Sequence, residues 1–230
     1  MPSTAKLQNK LMSKYDYEYE WDNKYCYPGS FVLKNKLNIL DAEALAVAER
    51  GITAARIAGV MDNPVRGRFD FKHLKDINKA IFHDVYDWAG KPRTVDISKG
   101  NQFCLSMHIE IYATNIFTKL KDEAFLLGKP ADEIPERLTF YFSEINVLHP
   151  FRDGNGRTQR VFIEYLAQCA GFDLDFSQVG SKEMIEASAL SFAKEYEKMT
   201  KMFHRILSRI TPQEQKEFRE KVSIGRRERK

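Results

Sequence analysis

Residues 149 to 160 read His-Pro-Phe-Arg-Asp-Gly-Asn-Gly-Arg-Thr-Gln-Arg, which gathers a proton acceptor, a carboxylate, two glycines around an asparagine and two arginines at one loop-to-helix junction. These are the parts of a phosphate site. Glycines let backbone amides approach an anion, a helix start adds N–H groups without partners and the positive end of its dipole, and arginines offer forked donors matched to phosphate oxygens. Arg157 and Arg160 stand three apart on the first turn of that helix, hence on one face. Cations there oppose the helix dipole by roughly 0.3 to 1 kcal/mol each, which an anion bound at the same place would explain. Each residue also has a plainer role open to it. His149 could be structural, Gly154-Asn155-Gly156 could be an ordinary turn, and Asp153 could be an N-cap instead of a Mg²⁺ ligand beside a polyphosphate. Phe151 is expected to anchor the loop in the core.

The elements that must hold this junction are mostly helical. Leu74, Ile77, Ile81, Val85 and Trp88 recur at three- and four-residue steps after the candidate cap Asp70, and Gly90 stands where a helix should end. A second helix is expected from about Ile109 to Leu127 before Gly128, a third from about Ile134 to Val147, and a fourth from near Gly156 to Gly171. Beyond Ser181, taken as an N-cap, Phe192, Tyr196, Met199, Phe203, Ile206 and Ile210 form the longest apolar stripe. Thr211-Pro212-Gln213-Glu214 spells a capping box with proline at the first helical position.

One stretch breaks the helical rhythm. Val95, Ile97, Phe103 and Leu105 alternate around Lys99-Gly100-Asn101, the pattern of a β-hairpin, and a lone hairpin must pack on something to be stable. Residues 1 to 24 show no clear pattern, and Tyr25 to Gly29 read as an irregular segment with a turn. The fold class is therefore all-α, mainly helical, with one small hairpin.

Composition narrows the function. The chain has 230 residues, 43% of them hydrophobic, enough for one core. It has no run of eighteen apolar residues, and Tyr15, Asp16, Glu18 and Glu20 stand where a secretory signal would be apolar, so neither membrane span nor export signal is expected. Cys26, Cys104 and Cys169 are odd in number and lack metal-ligand spacing, which points to free thiols in a reducing compartment. The net charge of +4 is concentrated at the end, where seven Lys or Arg face four Glu between Glu214 and Lys230. The body is nearly neutral, so no nucleic-acid partner is expected.

The junction resembles the Fic-domain signature, His-x-Phe-x-Asp/Glu-Gly-Asn-Gly-Arg-x-x-Arg, at every defined position. Together with Tyr27-Pro-Gly-Ser-Phe-Val-Leu-Lys-Asn-Lys36 and Trp88-Ala-Gly90, it is most similar to the Fic domains of Bartonella effector proteins, substrates of a type IV secretion system. The resemblance implies an irregular N-terminal arm (1–24), a Fic domain (25–210) built as a helical bundle with a hairpin flap beside the active-site loop, and from 211 to 230 the start of a further helix or linker. It implies a protein adenylyltransferase that moves AMP from ATP, with Mg²⁺, onto a Tyr, Thr or Ser hydroxyl of a target protein. His149 would accept the hydroxyl's proton and Asp153 would hold the metal. Gly154, Asn155 and Gly156 would form the anion hole, and Arg157 and Arg160 would grip the β- and γ-phosphates. The flap, Val95, Asp96, Ile97, Ser98, Lys99 and Gly100, would align the target by strand addition. It implies virulence too, the protein being made in the bacterial cytoplasm and acting in the host cytosol.

Many Fic proteins carry an inhibitory Ser/Thr-x-x-x-Glu/Asp-Gly/Asn helix. Here the acid-then-Gly/Asn pairs, Asp22-Asn23, Asp62-Asn63 and Asp153-Gly154, are preceded four positions earlier by Glu18, Ala58 and His149. The expected inhibitor is therefore a separate antitoxin-like protein whose Glu reaches Arg160. Transfer of UMP or phosphocholine, or an ATP-binding scaffold without catalysis, are the alternatives, although intact His149 and Asp153 oppose the last.

Overall fold

The computed structural model describes residues 24–223. Among them are eight α-helices: α1 Ala42–Asp62, α2 Phe71–Phe82, α3 Ile109–Asp122, α4 Ile134–Leu148, α5 Asn155–Ala170, α6 Ser181–Phe192, α7 Glu197–Ile206 and α8 Pro212–Val222. Two antiparallel two-stranded sheets accompany them, β1 Ser98–Lys99 with β2 Asn101–Gln102, and β3 Phe172–Leu174 with β4 Leu207–Arg209. The fold is mainly helical, as expected.

α5 is the centre. Val161, Phe162, Ile163, Tyr165, Leu166 and Ala167 are all buried, because α2, α4, α8 and β3 pack around it. α4 in turn meets α3, α6 and α7. A fully enclosed aromatic or aliphatic side chain contributes about 1.5–3 kcal/mol through burial, and the α4–α5 pair packs more extensively than any other two elements described. The turn 149–154 joins these two helices.

Local chemistry sets the boundaries. The Asp41 side chain accepts from Ala44 N at 2.8 Å to cap α1, Asp70 does the same for His73 N at 2.8 Å to cap α2, and Thr211 with Glu214 closes a capping box on α8. Gly171, at φ 97°, ends α5 in the left-handed region that disfavours a Cβ.

Several expectations are corrected. α2 stops at Phe82, before Val85 and Trp88; the Val85 carbonyl is taken by Lys36 N at 2.8 Å, and Tyr86 turns inward beside it. Gly90 caps no helix. Its N–H donates to Asn78 Oδ1 at 2.7 Å, and a Cβ on it would come within 2.7 Å of Lys79. α3 ends at Asp122, and three successive left-handed residues, Ala124 to Leu126, swing Leu126 into the core. Ser181 is the first residue of α6, whose cap is Gly180 with no side-chain bond. The stripe from Phe192 to Ile210 is not one helix: α6 ends at Phe192, Lys194 takes φ 67°, and Leu207–Arg209 is a strand paired with β3. Ile206 and Ile210 are four apart, which suits a helix turn and two strand steps equally. α1 was not foreseen, since its alanine-rich sequence, AEALAVAERGITAARIAGVMD, shows no apolar stripe.

α8 lies against α5, with Phe218 edge-on to Tyr165 and Val222 buried, and Gly67 N donates to Val222 O at 2.9 Å. The packed unit thus extends to Ser223. The expected N-terminal arm lies outside the described residues except for Lys24. No described helix is long and apolar enough to cross a membrane, and Cys26, Cys104 and Cys169 form no disulfide with one another.

Candidate active site

His149 is the C-terminal cap of α4, in the left-handed region at φ 40°, where histidine is among the better-tolerated residues. Its N–H donates to Ile145 O at 3.0 Å, and its ring Nδ1 lies 3.1 Å from Asn146 O. A carbonyl can only accept, so Nδ1 carries the proton and Nε2 carries the lone pair, the tautomer a base needs. The ring is 5% exposed, and Phe103 from the flap stacks on it at 3.7 Å and 14°. Burial pushes its pKa down to about 3; the Asn146 acceptor opposes this, and the charges of Arg93 and Lys99 add to it. The imidazole is neutral at physiological pH.

The rest of the turn is braced from several sides. Phe151 is buried, as expected, and its N–H and C=O pair with Asn155 Oδ1 at 2.8 Å and Asn155 Nδ2 at 2.7 Å. The Asn155 amide therefore shapes the loop, which differs from the expectation that it faces the anion. Arg152 is fully buried; its Nη2 donates to Cys26 Sγ at 3.6 Å, and its guanidinium lies 5.7 Å from the Tyr25 ring. Asp153 Oδ1 accepts from Gly154 N, so this side chain turns back on its own loop and does not cap α5 in the usual way.

Two glycines serve two purposes. Gly154, the cap of α5, has φ 79°, and a Cβ there would lie 2.2 Å from the Phe82 ring. No other residue fits without moving Phe82. A Cβ on Gly156 would meet only Arg160 Nη1, at 3.6 Å, so its bare face opens toward that guanidinium.

The two arginines of the motif part company. Arg157 Nη2 reaches Glu49 Oε1 at 2.6 Å, its Nη1 reaches Thr53 Oγ1 at 3.0 Å, its guanidinium lies 4.6 Å from the Phe82 ring, and Asp153 Oδ1 is 3.7 Å away. Glu49 Oε2 accepts from the Tyr86 hydroxyl. Burial, then the charge of Asp153, raises the Glu49 pKa. The Arg160 side chain has no hydrogen bond or ion pair among the described residues, and burial together with the Arg157 charge weakens its hold on its proton. A half-buried cation without a counter-ion, above a bare glycine face at a helix start, is arranged for an anion. For Arg157 the geometry differs from the expected phosphate grip: it is the brace between α5 and α1.

The residues fit magnesium as a nucleotide's partner. Asp153 is a single carboxylate beside the anion cradle, and among the described residues no three His, Cys, Asp or Glu converge into a cage. Mg²⁺ suits one or two carboxylates completed by phosphate oxygens and water.

The flap is where it was expected, though smaller. Ser98 pairs with Gln102 and Lys99 with Asn101 around Gly100 at φ 71°. Ile97 is buried beneath, Val95 and Ser98 are half-buried, and Asp96, Lys99 and Gly100 are exposed. Asp96 Oδ1 accepts from Ser106 N at 2.6 Å, which lowers its pKa.

Sequence reasoning missed Glu49, Thr53, Tyr86, Arg93 and Phe103. Glu49 and Thr53 stand four apart behind the capping Asp41, a helical spacing that could have offered Arg157 its acid. Tyr86 and Phe103 were readable only as core.

The Fic/DOC family profile matches residues 68–167. The probable protein adenylyltransferase Fic of Salmonella typhimurium is 36% identical over 191 residues, covering 82% of this chain and 94% of the relative. The chain belongs to the Fic family. Protein adenylyltransferase VbhT of Bartonella schoenbuchensis is 40% identical over 196 residues, which are 84% of this chain but 41% of that relative. The fold of the present chain matches the crystal structure of BepC, a VirB-translocated effector from Bartonella tribocorum with bound AMPPNP, with TM-score 0.76 and 26% identity over 81% of this chain and 97% of that one. An N-terminal Fic domain from Bartonella quintana with bound ADP matches with TM-score 0.76 and 29% identity, covering 80% and 94%. The enzyme class of the present chain is the one the Salmonella and VbhT relatives are named for, a Fic-type nucleotidyltransferase.

Proposed function

We propose that this Fic domain transfers AMP from ATP to a side-chain hydroxyl of another protein. The observation that carries this reading is Arg160, a guanidinium without a counter-ion among the described residues, facing the bare side of Gly156 on α5, the helix entered from the loop that carries a neutral imidazole whose lone pair is on Nε2. ATP is the substrate, its α- and β-phosphates over the Gly154–Gly156 amides and its γ-phosphate on Arg160. Asp153 would hold Mg²⁺, which would supply charge stabilisation for the departing pyrophosphate. The target oxygen attacks the α-phosphorus, the bond to the bridging oxygen breaks, pyrophosphate leaves, and the hydroxyl proton passes to His149 Nε2. Glu49 and Thr53 hold Arg157, and Arg157 holds the first turn of α5, so the cradle keeps its shape while charge moves. Such preorganisation is the largest part of many enzymes' rate enhancement. The flap pairs main chain to main chain with the target segment, which sets distance and leaves the choice of target to other contacts.

The test uses ATP labelled at the α- or the γ-phosphate, incubated with a lysate. Label from the α-phosphate alone should enter protein, and His149→Ala should abolish this while ATP still binds. Transfer of γ-label, or wild-type transfer by His149→Ala, would contradict the mechanism.

Arg160 also supports a separate inhibitor. An acidic side chain from a small antitoxin-like protein, paired with Arg160, would occupy the γ-phosphate's place. Delivery through a type IV secretion system into a host cytosol, with a role in virulence, rests on the likeness to Bartonella effector domains, and a translocation-reporter fusion tests it.

A further inference from the structure

Arg93 is 2% exposed, among the largest side chains the fold encloses. Its nearest carboxylate is Asp96 Oδ1, 3.8 Å from Nη1, so the cation is buried chiefly among main-chain carbonyls. Nε donates to His149 O at 2.8 Å, Nη1 donates to Val95 O at 2.7 Å, and Nη2 donates to Cys104 O. Its own N–H donates to Pro150 O at 2.8 Å. One planar fork thus touches the catalytic turn, the outgoing limb of the flap and the returning limb. The returning limb is joined again to α4 through Cys104 N to Val147 O at 2.9 Å.

Enclosing a guanidinium among neutral acceptors is costly compared with filling the same space with Leu or Met. Space-filling alone does not explain it. What a guanidinium offers is several donors at fixed mutual angles, and lysine's single ammonium cannot reach three carbonyls in three directions. Phe103, stacked on the His149 ring, belongs to the limb that Nη2 holds, so a shift of that limb would also uncover the base.

We propose that Arg93 is a positioning residue that fixes the flap against the main chain of His149, so that a hydroxyl aligned on the flap arrives within reach of the imidazole. It touches neither nucleotide nor target. This rests on the transfer reaction proposed above.

Arg93→Gln and Arg93→Lys separate this role from general support of the fold. With each variant, three quantities are measured: affinity for a fluorescent ATP analogue, incorporation of α-labelled AMP into lysate protein, and hydrogen exchange of the 94–105 amides. Both variants should bind the nucleotide as the wild type does, exchange faster in 94–105, and label protein about 100-fold less, the scale of loss that a misplacement of about 1 Å can cause. Labelling that stays near wild type would overturn the proposal. So would nucleotide affinity falling in parallel with labelling, or both variants failing to fold, since Arg93 would then support the fold and nothing more specific. If the wild-type chain labels nothing, it is the transfer reading that has failed, while the exchange and binding arms still report whether Arg93 holds the flap.

Discussion

The turn between α4 and α5 and the flap face each other across His149, and they are built in opposite ways. In and just after the turn the polar side chains are tied down, Asn155 to Phe151 within the loop, Arg152 to the segment at Cys26, Arg157 to α1, and Thr158 to Asn78 on α2 at 3.0 Å. In the flap two strands of two residues meet around an exposed glycine, and its outer groups point to solvent. Charge development on a phosphate demands donors that do not rearrange. A strand that must accept a partner demands an edge left unpaired. The contrast teaches that one side supplies chemistry and the other supplies registration, and substitutions on the two sides should therefore separate nucleotide handling from target handling.

The largest effect expected of a single arginine is at Arg160. Arg160→Ala should lower transfer about 100- to 1000-fold, the scale seen when one preorganised electrostatic contact to a transition state is removed, and it should weaken binding of ATP more than binding of AMP, since it is assigned to the γ-phosphate. Equal affinities for both nucleotides in wild type and variant, measured by calorimetry, would place the phosphates elsewhere and remove half of the comparison.

Glu49→Ala asks whether the turn is braced from α1. It leaves Arg157 without the acid it hydrogen-bonds, Asp153 remaining 3.7 Å away, and Tyr86 without its acceptor. Breaking a buried pair costs about 3–5 kcal/mol; here the Arg157 side chain is 24% exposed, so the loss should fall below that range. Chemical denaturation should show a lower midpoint at unchanged slope. A midpoint identical to wild type would mean that α1 merely lies against the turn.

This brace marks the limit of what the sequence shows. The motif announced itself because its residues are contiguous, and α4, α5 and α8 followed from apolar periodicity, glycine and the capping box. Glu49 was invisible because it lies 108 positions from Arg157 on a helix whose alanines hide which face is buried. Arg93 was invisible for a different reason, its partners being carbonyls that every residue owns. β4 was lost to a spacing that serves both periods. A short motif gives the chemistry, then, while the side chains that hold the motif in place come from distant segments and are seen only once the chain is folded.

On the other side of the imidazole, Gly100→Val changes the flap turn without a clash, since no atom lies within 4 Å of the added Cβ. At φ 71° a β-branched residue is strained, so the turn should relax and shift the pairing of Ser98 with Gln102. Labelling of lysate protein should fall about tenfold, a few kcal/mol of strain being shared between turn and strands, while ATP affinity is unchanged. Loss of ATP affinity here would show that the two sides are not separable.

The smallest signal concerns His149 itself, and it tests whether the two sides are closed together at rest. The ring is neutral in the folded chain because burial disfavours its charged form; His73, also buried, is shifted down for the same reason. The unfolded chain takes up protons near pH 6.5, and the folded one does not. Between pH 6.5 and the depressed folded pKa the unfolded state therefore binds more protons, so acidification favours unfolding and the melting temperature should fall from pH 7 toward pH 5. In the same interval the imidazole resonances of His149, read by long-range nitrogen–proton NMR, should hold the Nδ1-protonated pattern without titrating. A ring that titrates near 6.5 would be wet, which requires Phe103 to have left it. The flap would then rest open, and the stacked arrangement would describe only one of its positions.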